Sequence, residues 1–102
     1  HMNTKEDILH CLLENKDILA ALGVVSLGLF GSFVRGEQNP ASDIDILVEF
    51  SPDKHTFDNF MDVSFVLEDL LGRKVDVVTP EALSPYIGPY ILKEVQRVAI
   101  AA

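Results

Sequence analysis

Three aspartates and one Gly-Ser pair are the residues of this chain whose types and spacing could do chemistry. Asp43 and Asp45 lie two apart in Asp43-Ile44-Asp45-Ile46-Leu47-Val48, where acidic and apolar residues alternate as far as Ile46. In an extended strand, residues i and i+2 share a face. Both carboxylates therefore point the same way and crowd each other, which is unfavourable unless a cation lies between them. Hard divalent cations take oxygen ligands, and Mg²⁺ binds through one or two carboxylates together with substrate phosphates. Asp76 supplies a third carboxylate from the middle of another apolar stretch, with Val75 and Val77 predicted to face the core and Asp76 the opposite side. If that stretch lies beside the first, three carboxylates converge in the layout of a two-metal phosphoryl or nucleotidyl transfer site. Gly31-Ser32 follows an apolar run and stands ten residues before Ser42. Glycine lets the backbone approach a ligand closely, and the serine adds a hydroxyl donor. If Ser32 opens a helical turn, its backbone N–H groups point at an anion such as a phosphate.

Positioning these groups requires strands interleaved with helices. Asn3 and Thr4, with Glu6 or Asp7 in the first turn, can cap a helix whose apolar face is Ile8, Leu9, Leu12 and Leu13. Asn15-Lys16-Asp17 bends the chain into a second short helix with Ile18, Leu19 and Leu22, which Gly23 ends. Residues 24–30 read as a buried strand, 31–42 as a connector rich in Gly, Ser, Asn and Pro, and 43–50 as a second strand. Residues 57–71 form a long helix with apolar residues at Phe57, Phe60, Met61, Phe65, Leu67, Leu70 and Leu71, closed by Gly72. That is more than one stripe needs, which fits either a face for a partner chain, a second copy of this one included, or a helix buried at the centre of the fold. Residues 74–79 give a third strand, and Gly88-Pro89 starts a final helix whose apolar face is Ile91, Val95 and Val98. Tyr86 and Tyr90 are expected to pack that helix, and Lys93, Glu94 and Arg97 to form its solvated face. The fold class expected is α+β: a small mixed sheet packed by helices in two layers.

Composition narrows the functions. The chain has 102 residues, 48% of them hydrophobic, and 16 Asp+Glu against 8 Lys+Arg, a formal charge of −8. His1-Met2 reads as a cloning remnant, which makes 3–102 a single domain. The acidic surplus and scattered basic residues argue against direct nucleic-acid binding, which needs Lys/Arg clusters. A nucleotide ligand stays open, because bound metal can bridge carboxylates to phosphate. The lone Cys11 excludes a disulfide framework and, among Leu12 and Leu13, reads as a small core hydrophobe. No apolar run approaches the ~20 residues that cross a bilayer, so a cytoplasmic protein is expected.

Taken together, Gly31-Ser32-Phe33-Val34-Arg35-Gly36-Glu37, Ser42-Asp43-Ile44-Asp45-Ile46-Leu47-Val48 and Val75-Asp76-Val77-Val78-Thr79-Pro80-Glu81-Ala82-Leu83 resemble the minimal nucleotidyltransferases (MNT) of the DNA polymerase β-like nucleotidyltransferase superfamily. The resemblance spans about residues 20–98. It implies the polymerase β-like nucleotidyltransferase fold and an enzyme that moves AMP from ATP to an acceptor hydroxyl with two Mg²⁺ ions. Many members are antitoxins that adenylylate a tyrosine of a HEPN-domain ribonuclease toxin. Carried over by position, Asp43 and Asp45 would ligate both metals. Asp76 would ligate the metal at the acceptor hydroxyl and help remove its proton. Gly31 and Ser32 would bind the β- and γ-phosphates, and Arg35 would contact the triphosphate. Two competing expectations are an inert antitoxin that neutralises its toxin by complex formation, and nucleotidyl transfer to a small molecule.

Overall fold

The computed structural model describes residues 2–101. His1 of the expected cloning remnant lies outside the described residues, while Met2 packs beside the core. Helix α1 (Lys5–Glu14) opens with a reciprocal cap in which Asp7 N–H donates to Thr4 Oγ1 and Thr4 N–H donates to the Asp7 carboxylate, each at 3.2 Å. The Asn15 side-chain amide donates to the Cys11 carbonyl at 2.7 Å, and the chain turns into α2 (Lys16–Ala21). Cys11 itself packs beside the core, and burial pushes its thiol pKa up. Strand β1 (Val24–Phe30) follows, then the short helix α3 (Ser32–Arg35) and strand β2 (Ile44–Phe50). Helix α4 (Phe57–Leu71) starts on Thr56, whose hydroxyl accepts from Asn59 N–H at 3.1 Å, and closes on Gly72 at φ 66°. Strand β3 (Val75–Val78), helix α5 (Gly88–Glu94) and strand β4 (Gln96–Ala99) complete the chain.

The four strands form one mixed sheet in the order β3-β2-β1-β4, with β2 and β3 parallel and the other two pairs antiparallel. Its core face carries Leu27, Leu29, Ile44, Ile46, Val48, Val75 and Val98. Against it pack Ile8 and Leu12 of α1, Leu19 of α2, Phe33 of α3 and Val63, Leu67 and Leu71 of α4. The α4 residues recur every four positions and so form one stripe. Burying each such Leu or Val contributes about 1.5–3 kcal/mol. No helix among the described residues is long and apolar enough to cross a membrane.

The elements depart from the sequence-based expectations at the C-terminal end. Residues 96–99 are not the end of the last helix. Val95 leaves the helix at ψ 134°, and the next four residues pair with β1 as an edge strand. Ile91, Val95 and Val98 keep a helical spacing, but sheet pairing satisfies the backbone after Glu94 instead. Tyr86 and Tyr90 do not pack the last helix; they are 85% and 74% exposed. The expected apolar surplus of α4 does sit outside the core: Phe57 and Phe65 lie in solvent, at 76% and 61% exposed.

Candidate active site

The opposite face of the sheet presents the acidic residues. Parallel pairing of β2 with β3 sets Asp45 directly beside Asp76, and antiparallel pairing of β1 with β2 sets Phe30 directly across from Asp45. Asp43 precedes β2 by one residue. The edge strand carrying Asp76 is anchored where it begins. Val75 N–H donates to Glu68 Oε2 at 3.1 Å, and Ile44 N–H donates to the Lys74 carbonyl at 3.0 Å. Asp76 is exposed, whereas Asp45 is half-buried.

Gly31 turns the chain from β1 into α3 at φ 81° and ψ −154°, a conformation left to glycine. The Asp45 carboxylate occupies the space where a side chain would begin: a Cβ on Gly31 would stand 2.1 Å from Asp45 Oδ2. The carboxylate and the Gly31 turn are thus packed into contact, and residue 31 must be glycine for Asp45 to lie there. Ser32 is half-buried at the start of α3, and Arg35 is exposed at its end.

Electrostatically, Asp45 is the strained member. Burial, then the like charges of Asp76 and Asp43, push its pKa up from 3.8 to about 6, with Arg35 opposing. Asp43 Oδ2 lies 3.8 Å from Lys74 Nζ, a solvent-exposed pair. Among the described residues no three His, Cys, Asp or Glu side chains are already gathered as a metal cage. The donor set nonetheless fits a hard divalent cation. It consists of carboxylate oxygens on neighbouring strand positions, and the like-charge stress on Asp45 is what a cation would relieve.

Two residues that the sequence pattern did not single out shape the site. Glu94, expected on a solvated helix face, instead reaches the Gly31 turn. Its Oε2 accepts from Gly31 N–H at 2.6 Å, and both carboxylate oxygens accept from Arg35, at 3.1 and 3.2 Å. Arg35 Nε also donates to Glu37 Oε1 at 2.7 Å, and the two glutamates, Glu37 first, push the Arg35 pKa up. Arg73 lies over the Phe33 ring, 5.1 Å from its centroid. It donates to the carbonyls of Asn39, Pro40 and Ser42, tying down the loop that delivers Asp43. An open cavity of about 400 Å³ borders the turn, lined by Phe30, Gly31, Asp45, Ile87, Tyr90 and Glu94 among others.

The chain as a whole is similar to known proteins. Residues 12–98 match the nucleotidyltransferase domain family. The protein adenylyltransferase MntA of Thermococcus cleftensis is 39% identical over 95 residues, covering 92% of this chain and 95% of that protein. A solved structure described as a candidate minimal nucleotidyltransferase aligns with a TM-score of 0.70 at 33% identity, covering 86% of this chain and 93% of the other. A tri-AMPylated Shewanella oneidensis HEPN toxin in complex with an MNT antitoxin aligns with a TM-score of 0.54 at 20% identity, covering 83% of this chain and 69% of the matched one. That last likeness is one of fold alone. Because the family match takes in the Gly31 turn and all three aspartates, the chain belongs to the nucleotidyltransferase domain family, as an enzyme of the minimal nucleotidyltransferase kind.

Proposed function

We propose that this enzyme transfers AMP from ATP, with Mg²⁺, to a tyrosine hydroxyl of a cognate HEPN-domain toxin, and that this transfer is its antitoxin activity. The observation that carries the reading is the β2–β3 register, which sets Asp45 beside Asp76 at the mouth of the Gly31 turn. The T. cleftensis relative is named a protein adenylyltransferase, and the toxin in the Shewanella complex is AMPylated.

Each residue has a role in this reading. Asp43 and Asp45 hold the cations, and Asp76, on the exposed edge strand, faces the incoming hydroxyl and accepts its proton. Gly31, Ser32 and Arg35 orient the triphosphate so that the α-phosphorus is presented in line with the leaving pyrophosphate. Divalent cations, when bound, screen the triphosphate charge and lower the pKa of the attacking hydroxyl. The chemistry asks for positioning rather than a covalent nucleophile on the enzyme, which suits a site without a nucleophilic cysteine. The exposed position of Asp76 suits an acceptor that arrives as another protein's surface.

The test is incubation with α-labelled ATP, Mg²⁺ and the product of the neighbouring gene as the candidate HEPN acceptor. Label on the HEPN protein that disappears with Asp43→Ala/Asp45→Ala is the expected result. Toxin neutralisation that survives the double substitution would replace this reading with neutralisation by complex formation.

A further inference from the structure

Glu94 makes contacts that a solvated helix residue has no reason to make. It ends α5, 63 residues along the chain from Gly31, yet its carboxylate takes the Gly31 amide at 2.6 Å and bridges to Arg35 at 3.1 and 3.2 Å. Those are two of the donors assigned above to the triphosphate. To an amide and a guanidinium, a carboxylate and a phosphate are alternative partners: each offers two anionic oxygens in reach of the same N–H groups. Both cannot be held at once, because the donors are shared and the anions repel.

We propose that Glu94 is an internal stand-in for nucleotide phosphate: it occupies Gly31 and Arg35 until the triphosphate displaces it, and so sets the affinity of the site for ATP. This inference rests on the nucleotidyl-transfer reading. Three features suit Glu94 to leaving. Its side chain is 23% exposed, so a rotation about its own bonds takes the carboxylate out toward water. It is the last residue of α5, and the chain turns away at Val95. Its charge also bears unfavourably on Asp45, so its departure removes one like charge acting on that carboxylate. Arg35 does not lose its bearing when Glu94 goes, because Glu37 holds Nε at 2.7 Å and leaves the Nη1 edge free to take phosphate.

A site whose competent state is only partly populated binds with an apparent Kd raised by that fraction. Titration calorimetry of the full chain with a non-hydrolysable ATP analogue and Mg²⁺ tests this on wild type, Glu94→Gln and Glu94→Ala, each checked for folding by circular dichroism. The expected result is a roughly tenfold lower Kd for both variants, with the gain in the transfer assay falling on KM for ATP rather than on kcat. Without nucleotide, the Gly31 amide resonance is expected to move in Glu94→Ala as its acceptor is lost. Folded variants that bind the analogue no tighter than wild type overturn the stand-in and leave the nucleotidyl-transfer reading in place. Failure of all three proteins to bind the analogue overturns that reading, and the stand-in with it.

Discussion

Two ends of one sheet face carry carboxylates in contrasting company. At one end, Glu49 stands across from Ser26 in the β1–β2 register, accepts from Ser26 Oγ at 3.1 Å, and is paired with the Arg97 guanidinium on β4. At the other end, Asp45 meets Asp76 and Asp43, and its pKa is pushed up to about 6. Both carboxylates lie on β2, four residues apart, and both belong to the acidic surplus of the sequence. The difference lies in what the neighbouring strands bring. β4 brings a cation beside Glu49, and β3 brings a second anion beside Asp45. The ion-paired end reads as stability, whereas like charges brought together on one sheet mark Asp45 as the candidate for ligand binding.

Substitutions can break or sharpen that contrast. Asp45→Asn should cost AMP transfer on the order of a thousandfold or more; a folded Asp45→Asn protein with near wild-type transfer to its acceptor would erase the distinction between the two ends. Gly31→Ala should be the next most damaging. The new Cβ would meet Asp45 Oδ2 at 2.1 Å from a backbone at φ 81°, costing about 1–3 kcal/mol in urea unfolding together with transfer. The third test is of stability. In metal-free protein the Asp45 pKa is raised from 3.8 to about 6, so its contribution is full below pH 3.8 and is lost as pH rises through about 6. After discounting for solvent screening, Asp45→Asn should stabilise the chelated protein at neutral pH by about 1 kcal/mol. That is a gain of roughly 4–8 °C in Tm, and it should shrink at pH 4. Glu49→Gln should have the smallest effect and the opposite sign, a loss of about 0.2–1 kcal/mol at neutral pH. Equal thermal shifts for the two variants would mean that the two ends do not differ.

Much of this was legible along the chain. The alternation through Asp43-Ile44-Asp45-Ile46 determined that acidic and apolar residues part to opposite sheet faces. The Thr4 cap and the closing Gly72 are local signals, and they bound their helices as expected. Glu94 was not legible. Its partners are 59 and 63 residues away, and nothing in Lys93-Glu94-Val95 distinguishes a solvated glutamate from one that reaches a glycine amide. Arg73 was hidden for the same reason, since its three carbonyl partners lie more than thirty residues back. The β4 strand was masked by a helical spacing of apolar residues that sheet pairing overrode.

The local sequence was enough to set Asp45 and Asp76 on the strand faces away from the core, because side-chain alternation is a property of the local backbone. Only the tertiary structure decided their company. The strand order β3-β2-β1-β4 places Asp76 beside Asp45 and Arg97 beside Glu49, and the close of α5 lays Glu94 on the Gly31 turn. Pairing register and helix docking join residues far apart in the chain, and that is information no short window of sequence holds.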